Sequence, residues 1–137
     1  MKLELKHLAP YLPYELQLLE EFEVNESKIR TLRGIDIDMV VTNLERFPYN
    51  QRITFSEIKP ILRPLSDLTD EIDIHGDKIF PCAWFGLVPN EQHQQFLETK
   101  VIEGWMSYKE MTVLIKHHFD VFNLISEGLA IDINTIK

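Results

Sequence analysis

The clearest period of two in the chain is Ile35, Ile37, Met39 and Val41 set against Asp36, Asp38, Val40 and Thr42. One apolar face and one partly acidic face is the signature of a half-buried antiparallel strand. Gly34, just ahead of it, marks a bend or bulge. Ile29 to Leu32 is predicted to pair nearby, and Arg52 to Phe55 and Lys78 to Phe85 are further strands bounded by Pro, Gly, Asn or Asp. Leu16 and Leu18 alternate with polar neighbours, which predicts a strand over Tyr14 to Leu19. Between it and a short first strand at Lys2 to Leu5, the stretch LAPYLP places Pro10 and Pro13 where no regular helix interior can form and predicts an irregular turn.

The last third of the chain changes period. Ser107 followed by Glu110 has the spacing of a capping box, and beyond it Met111, Leu114, Ile115, His118, Phe119, Phe122 and Ile125 recur at intervals of three and four. Lys109, Glu110, Lys116, His117, Asp120, Asn123 and Glu127 occupy the other side. This predicts an amphipathic helix ended by Gly128 as a left-handed cap residue. Glu91 to Leu97 reads as a second, weaker helix. No internal repeat or domain linker interrupts the pattern, so residues 1–137 are expected to form a single α+β domain. Its parts would be a mostly antiparallel sheet from residues 2–55 and 78–85, a short central helix from about Ser66, and a C-terminal amphipathic helix packed on the sheet through Met111, Ile115, Phe119 and Phe122.

Composition narrows the function classes. At 137 residues, 45% hydrophobic and 26% charged, the chain is long and apolar enough to bury a real core. Its charge-free runs, such as Ile79 to Asn90, fall far short of the roughly 20 apolar residues a membrane span needs. Met1 to Leu8 carries Lys2, Glu4 and Lys6 where a signal peptide is apolar, so no membrane association and a cytoplasmic location are expected. Cys82 is the only cysteine, which excludes an internal disulfide and fits a reducing compartment. The net charge is −8, with 12 acids against 9 bases in residues 1–70 and 10 against 5 in residues 71–137. The densest basic stretch, Lys28, Arg30 and Arg33, is flanked by Glu26, Asp36 and Asp38, so direct nucleic-acid binding is disfavoured. A basic protein partner, or mimicry of a nucleic acid by surface carboxylates, suits this charge better.

The polar clusters have architectural readings beside their chemical ones. In RPLSDLTDEIDI, Arg63 to Ile74, Pro64 and Ser66 are favoured at a helix start, where Asp67, Asp70 and Glu71 stabilise the positive end of the helix dipole by roughly 0.3 to 1 kcal/mol each. The rival is a divalent-cation site drawn from Asp67, Asp70, Glu71, Asp73 and His75. Tested against a calcium loop begun at Glu71, it fits Asp73, His75 and Gly76 but has Cys82 where a bidentate glutamate belongs. His117 and His118 point about 100° apart on a helix and do not share one metal. His118 falls on the apolar stripe as a core histidine, and His117 falls on the solvated face within reach of Asp120. His7, His75 and His93 have nothing nearby in sequence to complete a site. There is no GxSxG, GxGxxG or GxxxxGK pattern, and Cys82 in IFPCAWFG reads as a buried, inert thiol. No catalytic, cofactor or metal residue is assigned. The interaction candidates are the aromatic side chains Trp84 and Trp105, in a group with Phe85 and Tyr108, and the acidic strand face of Asp36 and Asp38.

LKHLAPYLPY near the start, EIKPILRPLSDLTDEI in the middle and HFDVFNLISEGLAIDIN near the end, in that order, resemble a group of small uncharacterised proteins of phages, prophages and other mobile elements of gut bacteria. The shared marks are a KPILRPLSDLT core and an HFDVFGLIEKGLAIDIN-like ending, in which Asn123 and Ser126 here replace Gly and Glu. The resemblance implies a genetic setting and no active site. The expected function is that of a non-enzymatic accessory protein of a mobile element that binds another protein. The alternatives are a divalent-metal-dependent enzyme using the acids of residues 67–77 and an acidic nucleic-acid mimic.

Overall fold

The alternating segments form strands, and hairpin pairing sets most of their order. In the computed structural model, which describes residues 2–21, 27–35, 39–42, 51–55 and 58–136, these are β1 (Gln17–Glu21), β2 (Ser27–Ile35), β3 (Met39–Thr42), β4 (Gln51–Thr54), β5 (Ile58–Leu62) and β8 (Ile131–Asp132). They lie side by side as β4-β3-β2-β1-β5-β8. Neighbours are antiparallel except β5 and β8, which pair in parallel through Ile61 with Ile131 and Leu62 with Asp132. The fold is α+β, as the two periods predict. Gly34 sits where the β2–β3 register shifts, as its place before the strand predicts. Pro60, which has no N–H to give, stands one residue before the ladder with β8 begins.

One strand expected from periodicity is two. Ile35 ends β2, Met39 begins β3, and Ile35 pairs with Val40 across an antiparallel ladder. A period of two holds in each arm of a hairpin, so alternation alone does not locate a reversal. Asp36 and Asp38 lie outside the described residues. The first strand expected at Lys2 to Leu5 is also corrected: Leu5–Leu8 is a single helical turn, α1. The His7 ring at its third position accepts the Glu4 N–H at Nδ1, 3.0 Å away, half of a capping box. LAPYLP then continues as a 3-10 helix, Ala9–Tyr14, whose shorter hydrogen bonds accommodate the prolines and carry Tyr11 fully into the interior.

The chain divides into two compact units, Met1–Leu62 with Leu124–Lys137, and Arg63–Asn123. The first buries Leu8, Tyr11, Leu16, Leu18, Leu32, Leu62 and Leu124 completely. The second closes on itself near its ends: Arg63 N–H donates to the His118 carbonyl and Asp120 N–H donates to the Arg63 carbonyl, each at 2.8 Å. Its core gathers Leu68, Ile72, Cys82, Leu97, Val101, Leu114 and Phe119.

Three expectations in this unit are modified. The acidic stretch forms a 3-10 helix, Leu65–Thr69, without a side-chain cap from Ser66. Gln94 fastens it to α2 (Glu91–Ile102), its amide donating to the Leu65 carbonyl at 2.8 Å and accepting from the Thr69 hydroxyl at 2.9 Å. The strand expected over Lys78 to Phe85 stops at Ile79, because Pro81 starts another 3-10 helix, Pro81–Phe85; β6 (Ile72–Ile74) and β7 (Asp77–Ile79) make a separate hairpin. Finally α3 (Tyr108–Lys116) starts at the Ser107–Glu110 box as predicted but ends far short of Gly128. His118, at a left-handed φ of 63°, closes it instead.

Burial, aided by the neighbouring Lys6 charge, holds His7 below the ordinary histidine range. The neutral ring is therefore the folded form, and the folded state binds fewer protons than the unfolded chain. That contribution is complete above about pH 6.5 and is lost as the pH falls through the folded value. Denaturant unfolding at pH 7.5 and 5.5 is expected to show a loss of stability that shrinks in His7→Gln, whose amide oxygen accepts the same N–H without titrating.

Candidate functional site

A helical segment that ends leaves carbonyl groups without partners. Among the described residues one solution recurs four times, at the ends of three helical segments and in the turn over residues 124–129. Leu87 N–H returns to the Cys82 carbonyl at 3.1 Å, Trp105 to Lys100 at 2.8 Å, Phe119 to Leu114 at 3.0 Å and Leu129 to Leu124 at 2.9 Å. Inside each loop a left-handed residue, Gly86, Gly104, His118 or Gly128, bonds back to the carbonyl three residues earlier. This is the Schellman arrangement, in which the residue after the left-handed one normally packs back onto the helix's apolar side. Phe119 is fully buried, and Leu87 and Leu129 are half-buried. Trp105 alone of the four turns outward, 66% exposed.

Local chemistry accounts for this departure. The position that would receive Trp105 is Lys100, whose ammonium is engaged with the Glu110 carboxylate at 3.2 Å. Glu110 in turn accepts the Ser107 N–H at 3.0 Å, while Ser107 Oγ accepts the Glu110 N–H at 3.1 Å. The backbone bond from Ser107, with Lys100 beside it, holds the Glu110 carboxyl below its usual range. The corner between α2 and α3 is thus closed by a Schellman loop, a capping box and an ion pair within eleven residues, Lys100 to Glu110. On its outside stand Ile102 at 66%, Trp105 at 66% and Tyr108 at 89% exposure, with Phe96 at 51% one turn before Lys100. Lys100 Nζ lies 5.6 Å from the Phe96 ring centre. Exposed aromatic side chains on a fixed backbone lose little conformational freedom when covered, which is why Trp and Tyr dominate binding hot spots.

The two tryptophans are separated in role by their burial. Trp84 is half-buried, stacked on His117 with ring centres 4.4 Å apart and edge-on to Phe119 at 6.3 Å. His117, expected on the solvated face beside Asp120, instead gives its Nδ1–H to the Val113 carbonyl at 2.9 Å and covers the indole. Phe96 and Ile102 were not legible as candidates from the weak pattern of α2. A signal existed: Leu97 and Val101, four apart, supply the buried face, leaving Phe96 and Ile102 as two large apolar residues beyond what that face requires.

Two of the acids of residues 67–77 have separate tasks. Asp67, buried, lies 3.6 Å from the Arg63 guanidinium, which also stands 6.0 Å from the centre of the Phe119 ring. Asp73 accepts the Gly76 N–H at 2.8 Å inside the β6–β7 turn, where His75 and Gly76 both take positive φ, 52° and 89°, as a type I′ hairpin requires. Asp70 and Glu71 are exposed. Among the described residues no group of three or more His, Cys, Asp or Glu side chains is placed to hold a metal ion, and no helix is long and apolar enough to cross a membrane. Cys82 is fully buried, and that burial pushes its thiol above the ordinary range. Set beside family models, curated proteins and solved structures, the chain finds no match.

Two substitutions test the corner. Nothing lies within 4 Å of a Cβ built on Gly104, so Gly104→Ala should cost only the left-handed backbone penalty at φ 75°, about 1 kcal/mol by denaturant unfolding, with no packing loss. Glu110→Ala should cost about 1 kcal/mol at neutral pH through the lost cap and the partly exposed ion pair. Because the folded carboxyl is lowered, its contribution is whole above about pH 4.5 and disappears as pH falls through the folded value, so the gap between wild type and Glu110→Ala should narrow steadily as the pH is lowered below about 4.5.

Proposed function

We propose that this chain is a non-enzymatic accessory protein of a phage or other mobile element that acts by binding another protein through the α2–α3 corner. The observation that carries the reading is Trp105: 66% exposed where the three equivalent loop positions are buried or half-buried, on a backbone fastened at both helix ends. Ile102 and Tyr108, each three residues from it along the chain, are exposed as well, at 66% and 89%, which suits a hot spot ringed by weaker contacts. The genetic setting rests on the resemblance of the three stretches alone. KPILRPLSDLT and the ending meet in space, through Arg63 with Phe119 and through Ile61 and Leu62 with Ile131 and Asp132. Asn123, where the resembling ending has glycine, adopts a left-handed φ of 58°, a conformation that glycine and asparagine tolerate.

A photoreactive phenylalanine analogue placed at position 105 tests the reading against the same group at Gln92, an exposed position in the first turn of α2. In bacterial lysate, position 105 is expected to give discrete protein adducts that position 92 does not. Equal adduct patterns, or none from position 105, would remove this corner as the binding surface.

A further inference from the structure

We infer that the corner of Ile102, Trp105 and Tyr108 receives an arginine-bearing, positively charged segment of its protein partner, an inference that rests on the binding role proposed above. The unit that carries the corner, residues 63–123, holds 10 acids against 5 bases. Two of those bases, Arg63 and Lys100, are already engaged with Asp67 and Glu110, which leaves Lys78, Lys109 and Lys116. At the corner itself Glu103 is exposed between Ile102 and Gly104, at the end of α2 where the helix dipole is negative. The faces of the Trp105 indole and the Tyr108 phenol attract cations for the same electrostatic reason. Lys109, exposed and next to Tyr108, opposes this field.

Arginine fits better than lysine because its planar, weakly hydrated guanidinium stacks on an indole while its N–H fork engages a carboxylate such as Glu103. A second copy of this chain fits poorly, since each carries a net charge of −8 and would bring like charge to the contact.

The probes are three capped peptides alternating glycine with arginine, with lysine or with glutamate, titrated calorimetrically into the full chain at low and at high salt. The arginine peptide is expected to bind most tightly, the lysine peptide more weakly and the glutamate peptide not at all. Trp105→Ala should weaken the arginine peptide about tenfold or more, and Glu103→Gln severalfold with a shallower salt dependence; unchanged thermal melts show that both variants fold. Binding of the glutamate peptide as tight as that of the arginine peptide, arginine-peptide affinity indifferent to Trp105→Ala, or a dimer seen by light scattering that Trp105→Ala dissolves would each overturn the inference. If position 105 gives protein adducts in lysate yet the arginine peptide does not bind, the basic partner alone is refuted; if no adducts form, the binding role falls with it.

Discussion

Every helical segment must dispose of carbonyl groups that its own turns leave unsatisfied, and the second half of this chain disposes of them repeatedly by one device. A left-handed residue turns the backbone so that the following N–H reaches back five residues, which saves the hydrogen bonds and fixes where the next side chain points. At Phe119 that direction delivers a ring into the core beside Leu114, and the adjoining backbone then clasps Arg63. At Trp105 the same geometry meets a lysine committed to Glu110, and the ring is left in water. The candidate surface is therefore a product of helix termination, its backbone held by the Schellman bonds, the capping box and the Lys100–Glu110 pair.

The acidic residues follow from a related economy. A largely buried ion pair such as Asp67 with Arg63 is a weak source of net stability when whole, yet losing one partner leaves the other charge poorly solvated. Such a pair constrains placement more than it adds to stability, and here it lies next to the clasp between Arg63 and residues 118–120. Asp73 serves a hairpin turn and Glu110 a helix start. Carboxylates spent on backbone N–H groups and guanidinium partners at separate places do not converge on a shared centre. What their excess supplies collectively is a negative field around the residue 63–123 unit, and a field acts on partner choice and association rate more than on fold.

The parts legible in advance were those governed by local rules. The capping box at Ser107 and Glu110 marked the start of α3, Gly34 marked an irregularity in the sheet, and the strands at Ile29 to Leu32 and Arg52 to Phe55 were visible from their alternation. The strand expected over Lys2 to Leu5 gives way to a helical turn that starts at Leu5, because the capping partner is a histidine, which is not among the usual signals. The end of α3 was misread because the left-handed position is held by His118 and not by glycine, while Gly128, which looked like the stop, closes a different turn.

The sequence by itself therefore determined the α+β class, where α3 begins and the acidity of the chain, since period, capping chemistry and charge act over a few residues or over all of them at once. Tertiary structure decided which of two tryptophans is covered, where the long alternation reverses, and which carboxylate meets which base. Those outcomes depend on contacts between segments distant along the chain, Arg63 with Phe119 or Gln94 with Leu65 and Thr69, whose selection lies in complementary shape and paired hydrogen bonds that no local pattern records.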